Sequence, residues 1–415
     1  MKKTIGINVS VKTWTTLAAT VAGLAFSTLL SPCLQAAEQV LSPELQITSS
    51  ELLPTNSTSL LRLGPFDIHP RVSGGVIYDD NILIRNAGRL EDVIWTISPG
   101  IAAVAGFQQG GEGKMLTIDY SPSFNFYTRH SDNNSIDHHA RLTALWPITK
   151  LTLTLSQEFT SSSGSVVEVG DRVHQKTYVT AFNGHYDVSE KTSVDVGLHQ
   201  TISDYERFIS SREWYNDDWL NYQVLPKINM GVGLTLGYLE QDSSPHQTYE
   251  KLLVRAVYVL TGKIDLTASA GGELRQYGAS AGDRLAPVFS LGVTYRPTDT
   301  TTISLEAHRQ QQNSILFIGE NYYTTGFTVA IRQRVAERLF LTVGGGYDNA
   351  DYVSAQKGIT ANREDNFYSA RVSLDASLTP RWTAGVFYQY RKNESNLGVF
   401  GYDSNQVGVQ TAWGF

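Results

Sequence analysis

Seven very short turns recur along this chain, and their spacing restricts what it can fold into. They fall at Pro147-Ile148-Thr149, Ser189-Glu190-Lys191, Pro226-Lys227, Thr261-Gly262-Lys263, Pro297-Thr298-Asp299, Ala336-Glu337-Arg338 and Thr379-Pro380-Arg381. Successive turns lie about 36 to 43 residues apart, which is room for one strand, a loop and a returning strand. Longer polar connections alternate with them, near Asp79–Glu91, Arg129–Ile136, Ser161–Arg172, Asp204–Arg212, Asp242–His246, Gly278–Asp283, Asn313–Glu320, Asp351–Arg363 and Glu394–Asp403. Another short turn is expected at Gln109-Gly110-Gly111.

Between the turns the residues alternate. Leu151, Leu153, Leu155 and Phe159 oppose Thr152, Thr154, Ser156 and Glu158. Ile228, Met230, Val232, Leu234 and Leu236 oppose Asn229, Gly231, Gly233 and Thr235. Tyr368, Ala370, Val372, Leu374 and Ala376 oppose Ser369, Arg371, Ser373 and Asp375. A period of two places one set on each face of a strand. Glu213 to Val224 alternates less well, because Asp217-Asp218 interrupts it; its position still makes it a strand. Counting from Asp67 gives about 18 strands, the even number expected of a single-chain barrel with both termini on one side. The last strand, Gln406 to Phe415, places Val407, Val409, Thr411, Trp413 and Phe415 on one side and ends on an aromatic residue.

The polar face distinguishes a membrane barrel from a soluble sandwich. It carries Ser, Thr, Gly and Asn with scattered charges, and charged residues make up 18% of the chain, too few for a solvated surface of dense Lys and Glu. Mean hydropathy is −0.19, which alternating strands produce by averaging. Aromatics sit at both strand ends: Trp146, Tyr258, Tyr295, Trp382 and Phe415 toward the short turns, Tyr127, Phe159, Tyr238, Tyr277, Tyr347 and Tyr390 toward the loops. Tyr and Trp favour the membrane interface. The expected fold is an all-β, transmembrane, antiparallel up-and-down barrel spanning residues 67–415, because lipid requires every backbone polar group to be paired within the protein.

Residues 1–37 read as a cleaved signal peptide: Lys2, Lys3 and Lys12, an apolar run from Leu17 to Leu30, then Leu34-Gln35-Ala36-Ala37. Cys33, the sole cysteine, lies inside it, and Pro32 makes Leu30-Ser31-Pro32-Cys33 a poor lipidation box. Residues 38–66 read as a flexible periplasmic lead-in, which puts both termini of the barrel in the periplasm.

The opening has a more specific pattern. Gly64-Pro65, His69-Pro70, Val76-Ile77-Tyr78-Asp79-Asp80-Asn81-Ile82, Asp92-Val93-Ile94 and Ser98-Pro99-Gly100 resemble the start of the β-barrel porin type 2 family. That resemblance implies a bacterial outer-membrane barrel. Several members are encoded with exopolysaccharide secretion machinery, so it also implies a polysaccharide export port. The alternative is a passive diffusion porin for small hydrophilic solutes. The terminal strand, with Trp413 and Phe415, resembles the signal read by the barrel assembly machinery of the outer membrane. Expected partners are therefore the lipid bilayer, lipopolysaccharide and that machinery, with a periplasmic polysaccharide export protein if the polymer reading holds. Nucleic acid is not among them.

Catalytic and cofactor motifs are not found. The chain has no phosphate-cradling glycine loop, no metal-spaced Cys/His set and no Gly-x-Ser-x-Gly elbow. No enzyme and no cofactor are expected. His138 and His139 would point to opposite faces, and Asp79-Asp80-Asn81 reads as turn chemistry before a cation site. Strand phase turns Arg141, Arg255, Arg275, Arg332, Arg334, Arg371 and Arg391 inward. It does the same for Asp119, Glu158, Asp195, Asp265, Glu273, Glu306 and Asp375, so the signs balance. Arg332, Arg334, Arg371 and Arg391 could form a basic ladder for an anionic polymer; bracing of the wall by Arg–carboxylate pairs is the favoured reading. An adhesin with a blocked lumen is a further alternative.

Overall fold

The structure is a computed structural model and describes residues 61–106, 113–260, 262–278, 282–354 and 361–415. The leader, Cys33, residues 38–60 and the Gln109-Gly110-Gly111 turn lie outside the described residues. A short strand, β1 (Leu61–Leu63), precedes eighteen long ones. These are β2 (Phe66–Asp79), β3 (Asp92–Gly106), β4 (Met115–Tyr127), β5 (Ser135–Ile148), β6 (Leu151–Val166) and β7 (Asp171–Asp187). Next come β8 (Thr192–Tyr205), β9 (Ser211–Leu225), β10 (Ile228–Gln241), β11 (Gln247–Leu260), β12 (Ile264–Tyr277) and β13 (Gly282–Thr298). The last six are β14 (Thr301–Asn313), β15 (Glu320–Ala336), β16 (Leu339–Ser354), β17 (Glu364–Thr379), β18 (Trp382–Ser395) and β19 (Tyr402–Gly414).

Each long strand pairs antiparallel with the next, and β19 returns to β2 in register from Gln406↔Asp79 to Gly414↔Arg71. The sheet is thus closed, which removes its edges. The Phe415 N–H donates to the Pro70 carbonyl at 3.1 Å, so the final residue belongs to the seam. Trp413 packs between Trp382 and Phe415, with ring centroids 5.9 and 6.2 Å apart.

The apolar row faces outward along the chain, from Ile97 and Ile101 on β3 to Val407 and Val409 on β19, all of them exposed. The other row faces the lumen, and it is small where large neighbours lie flat. On β10, a Cβ at Gly233 would stand 2.5 Å from the Trp219 ring, and one at Gly237 2.0 Å from the Tyr249 ring. Glycine at these positions is therefore a matter of space, not of backbone angle.

Four local expectations shift. β9 runs unbroken through Asp217-Asp218. Asp217 is held inside by Trp219 Nε1 and Thr235 Oγ1, each at 2.7 Å, so a strand survives two adjacent acids. The loop read at Ser161–Arg172 is mostly strand: β6 and β7 stay in register from Ser161↔Lys176 to Val166↔Asp171. A serine-rich stretch pairs its backbone as well as any other. β5 and β13 run one residue past Pro147 and Pro297, since proline is tolerated near a strand end. Leu61–Leu63, placed in the lead-in by sequence, pairs with Phe66–Ile68 through the left-handed Gly64 (φ 61°).

One corner of the wall has two layers. The β13–β14 ladder stops at Phe289↔Arg309, while Gly282 to Val288 pair only with β12 in the ladders described. Above that point the β14–β15 hairpin bends into the lumen. Asn321 Nδ2 donates to Gln247 Oε1 at 2.9 Å, and Gln311 Nε2 to Tyr277 Oη at 2.8 Å. In a single-layered wall β11 and β15 would lie roughly 19 Å apart, from a strand spacing of about 4.8 Å. Asn321 shares its row with Phe327, which faces outward and is exposed, whereas Gln247 shares the inward row of Arg255. The outer face of the hairpin therefore packs on the inner face of the wall.

Substituting Gly237→Val should overpack the inner wall against Tyr249 and cost about 1–3 kcal/mol. The check is the urea midpoint of the refolded barrel, followed by the mobility of unheated samples on gels.

Candidate functional site

At the long-loop end several of the described loops interlock over the lumen. The tip of the β14–β15 hairpin, residues 314–319, reaches the β6–β7 turn at Glu168. The Glu168 carboxylate accepts from Ser314 Oγ, from the Ile315 N–H at 3.1 Å and from the Leu316 N–H at 3.4 Å. Arg363 donates to the Glu168 carbonyl at 2.7 Å and to Asp365 Oδ2 at 2.9 Å from Nε, with its guanidinium 3.7 Å from the Phe400 ring centre. Phe317 meets the same ring edge-on. The Ile209 N–H donates to the Ile315 carbonyl at 2.9 Å, and the Gly319 N–H to Ser244 Oγ at 3.1 Å. Loops from much of the barrel's circumference thus converge on one tip.

An apolar cluster of Ile84, Val167, Phe367 and Tyr402 backs this contact. Ile84 has φ 46°, an uncommon angle for a β-branched residue, and is almost wholly buried. The Asp79-Asp80-Asn81 motif holds it there. Asp79 accepts from the Asn81 N–H, Ser404 Oγ and Gln406 Nε2, and Asn81 Nδ2 donates to the Arg85 and Asp403 carbonyls. The motif acts as turn chemistry across the β2–β19 seam.

The inward arginines fall into two kinds. Arg255 spans Gly231 to reach Asn221 and Asp195 and lies over Trp219. Arg275 pairs with Glu273 at 2.7 Å over Tyr249. Arg371 donates to Gln389 at 2.8 Å over Phe387, and Arg391 donates to Ser404 at 3.2 Å and to Asp79 at 3.4 Å. Arg332 and Arg334 are exposed within the lumen, and Arg332 lies over Phe340 at 4.8 Å. In register, Arg334 is level with Asp375, Arg332 with Ser373, Arg371 with Gly344 and Arg391 with Gly346. The four therefore rise diagonally across β15, β17 and β18, two residues per step. Asp375 accepts from Ser373 Oγ at 2.8 Å. Arg255 and Arg275 stand apart from this group, on β11 and β12. His138 meets Tyr120 on the outer face, and His139 meets Glu158 on the inner one.

Residues 249–413, which run from β11 to β19, match the family described as "putative beta-barrel porin 2". The closed antiparallel barrel is of the porin type. The match covers the second half of the barrel, whereas the sequence resemblance rested on the opening. No curated protein matches the chain. Among solved structures, Acinetobacter baumannii OccAB3 is similar at 9% identity over 84% of this chain and 99% of that one, with a TM-score of 0.47. Pseudomonas aeruginosa OccK3 (OpdO) gives 10%, 84%, 96% and 0.45. Pseudomonas aeruginosa OpdK, solved with vanillate, gives 11%, 84%, 99% and 0.45.

Sequence reasoning passed over Glu168, Ser314 and Arg363. A signal was present: Val166-Val167-Glu168-Val169 and Ile315-Leu316-Phe317-Ile318 are apolar runs inside connections, and a solvated loop has no use for them.

Burial holds the Glu168 carboxyl above the ordinary glutamate range, against the opposing pull of the Ser314, Ile315 and Arg363 donors. Arg363, Asp365, Tyr322 and Tyr352 are the ionisable groups around it. A carboxyl whose pKa is raised in the closed mouth favours closure at low pH, and that contribution is lost as pH rises through the raised value. Single-channel open probability should therefore rise with pH, and Glu168→Gln should flatten the profile. Charge reversal at Arg332 and Arg334 together should shift the reversal potential toward cation preference in a salt gradient, a larger change than reversal of the paired Arg255.

Proposed function

We propose that the protein is a gated outer-membrane channel whose closed mouth faces outward and whose cargo is a polysaccharide leaving the periplasm. The observation that carries this reading is the docking of the β14–β15 hairpin tip on Glu168. A passive diffusion porin works by staying open, whereas a port for one polymer gains from a mouth that closes when the cargo is absent. The lumen supports the polymer reading: Ser, Thr, Asn and Gln line it beside balanced charges, and the Arg332–Arg334 step offers a place for acidic sugars. In this reading residues 1–37 are a cleaved leader, residues 38–66 lie in the periplasm with the carboxy terminus, and the Trp413–Phe415 end engages the assembly machinery. A periplasmic export protein delivers the polymer.

A pair of cysteines tests the gate. In a Cys33→Ala background, Gln247→Cys with Asn321→Cys replaces a hydrogen-bonded pair that pins the hairpin inward. Oxidation should reduce conductance in planar bilayers to the level of a protein-free membrane, and reduction should restore it. Equal conductance in both states would remove the gating proposal. Loss of secreted polysaccharide in a deletion strain, restored by the wild-type chain, tests the cargo.

A further inference from the structure

The outward row of β9 contains an anomaly that closure of the barrel does not explain. It reads Trp214, Asn216, Asp218, Leu220, Tyr222. Asp218 stands opposite Val196 on β8 and Leu234 on β10, and Asn216 opposite Leu198 and Leu236; all four apolar neighbours are exposed. Trp214 and Tyr222 each lie four residues from Asp218, roughly 13 Å along the strand. Such aromatics mark the two interfaces of the bilayer, so the carboxylate sits near the middle of the hydrocarbon, where an ionisable group is costly and points to a function.

The pair is only partly satisfied within the chain. Asn216 Nδ2 donates to Asp218 Oδ2 at 2.7 Å. Asp218 Oδ1 is shielded from solvent and takes no hydrogen bond. Asn216 keeps a second amide proton and a carbonyl oxygen to offer. Two depressions in the outer surface flank the pair, one lined by Leu198, Trp214 and Leu236, the other by Val194, Leu220 and Leu252.

We propose that this face of β8–β10 is an interface with a second copy of the same chain. The Asn216 amide carries both a spare donor and a spare acceptor, which is what an isologous contact requires, since each copy must present both halves of the bond. Asn216 of each copy donates its second amide proton to the Asn216 carbonyl oxygen of the other, and Asp218 holds the first proton within its own chain. The exposed leucines and valines around it supply the apolar rim. A lipid chain would leave the rest of the Asn216 amide unpaired, so lipid does not fit this face.

The test is performed on full-length protein in outer-membrane vesicles and again after extraction. In a Cys33→Ala background, Asn216→Cys should form an oxidant-dependent dimer of twice the monomer mass, while Val409→Cys, outward on distant β19, should not. Asn216→Leu should shift native-mass spectra from dimer to monomer. That substitution places an apolar residue toward lipid, so the barrel should remain folded and migrate as such when unheated. A wild-type chain that is monomeric in vesicles would overturn the proposal. So would equal cross-linking at Val409→Cys, or a disulfide adduct only with a different protein.

Discussion

The rest of the structure depends on the requirement that no backbone polar group face lipid unpaired. A ribbon of alternating strands meets it only by closing on itself, and the return of β19 to β2 does this. Closure then assigns every other side chain to lipid and the rest to the lumen. A one-residue slip of any strand would turn its whole apolar row inward, so the register of each ladder follows from the alternation of the chain.

Inside, the wall is braced sideways instead of being filled. Long arginines lie across glycines of the strand between them, as Arg255 lies over Gly231 and Arg71 over Gly100 on its way to Asp119. Aromatic faces such as Trp219, Tyr249 and Phe387 are covered by guanidinium groups. Pairing of this kind neutralises charges that would otherwise stand apart in the lumen, and it leaves Arg332 and Arg334 on a separate stretch of wall with exposed heads.

At the long-loop end a different demand prevails. Along the outward row of β14, Leu305 and Ala307 give way to Arg309, Gln311 and Asn313, and along β15 Phe327 gives way to Thr325, Tyr323 and Asn321. The row turns polar at the height where the hairpin leaves the wall. Polar groups on that face find partners in the inner wall at Gln247 and Tyr277, and the apolar tip finds cover beneath the neighbouring loops. The same hairpin therefore forms a wall below and a cover above.

The sequence by itself determined the alternation, the short turns, the eighteen strands and the inward phase of the arginines. These follow from the two-residue period of a strand and from turn chemistry, both local in the chain. Tertiary structure alone decided which inward charges are paired, that Asp217-Asp218 leaves β9 intact, and that Glu168 receives a hairpin tip about 146 residues further on. Those outcomes depend on residues from distant strands meeting across a lumen, and no local period encodes that meeting. The apolar runs at Val166–Val169 and Ile315–Ile318 indicate that those connections must be covered; only the closed barrel supplies what covers them.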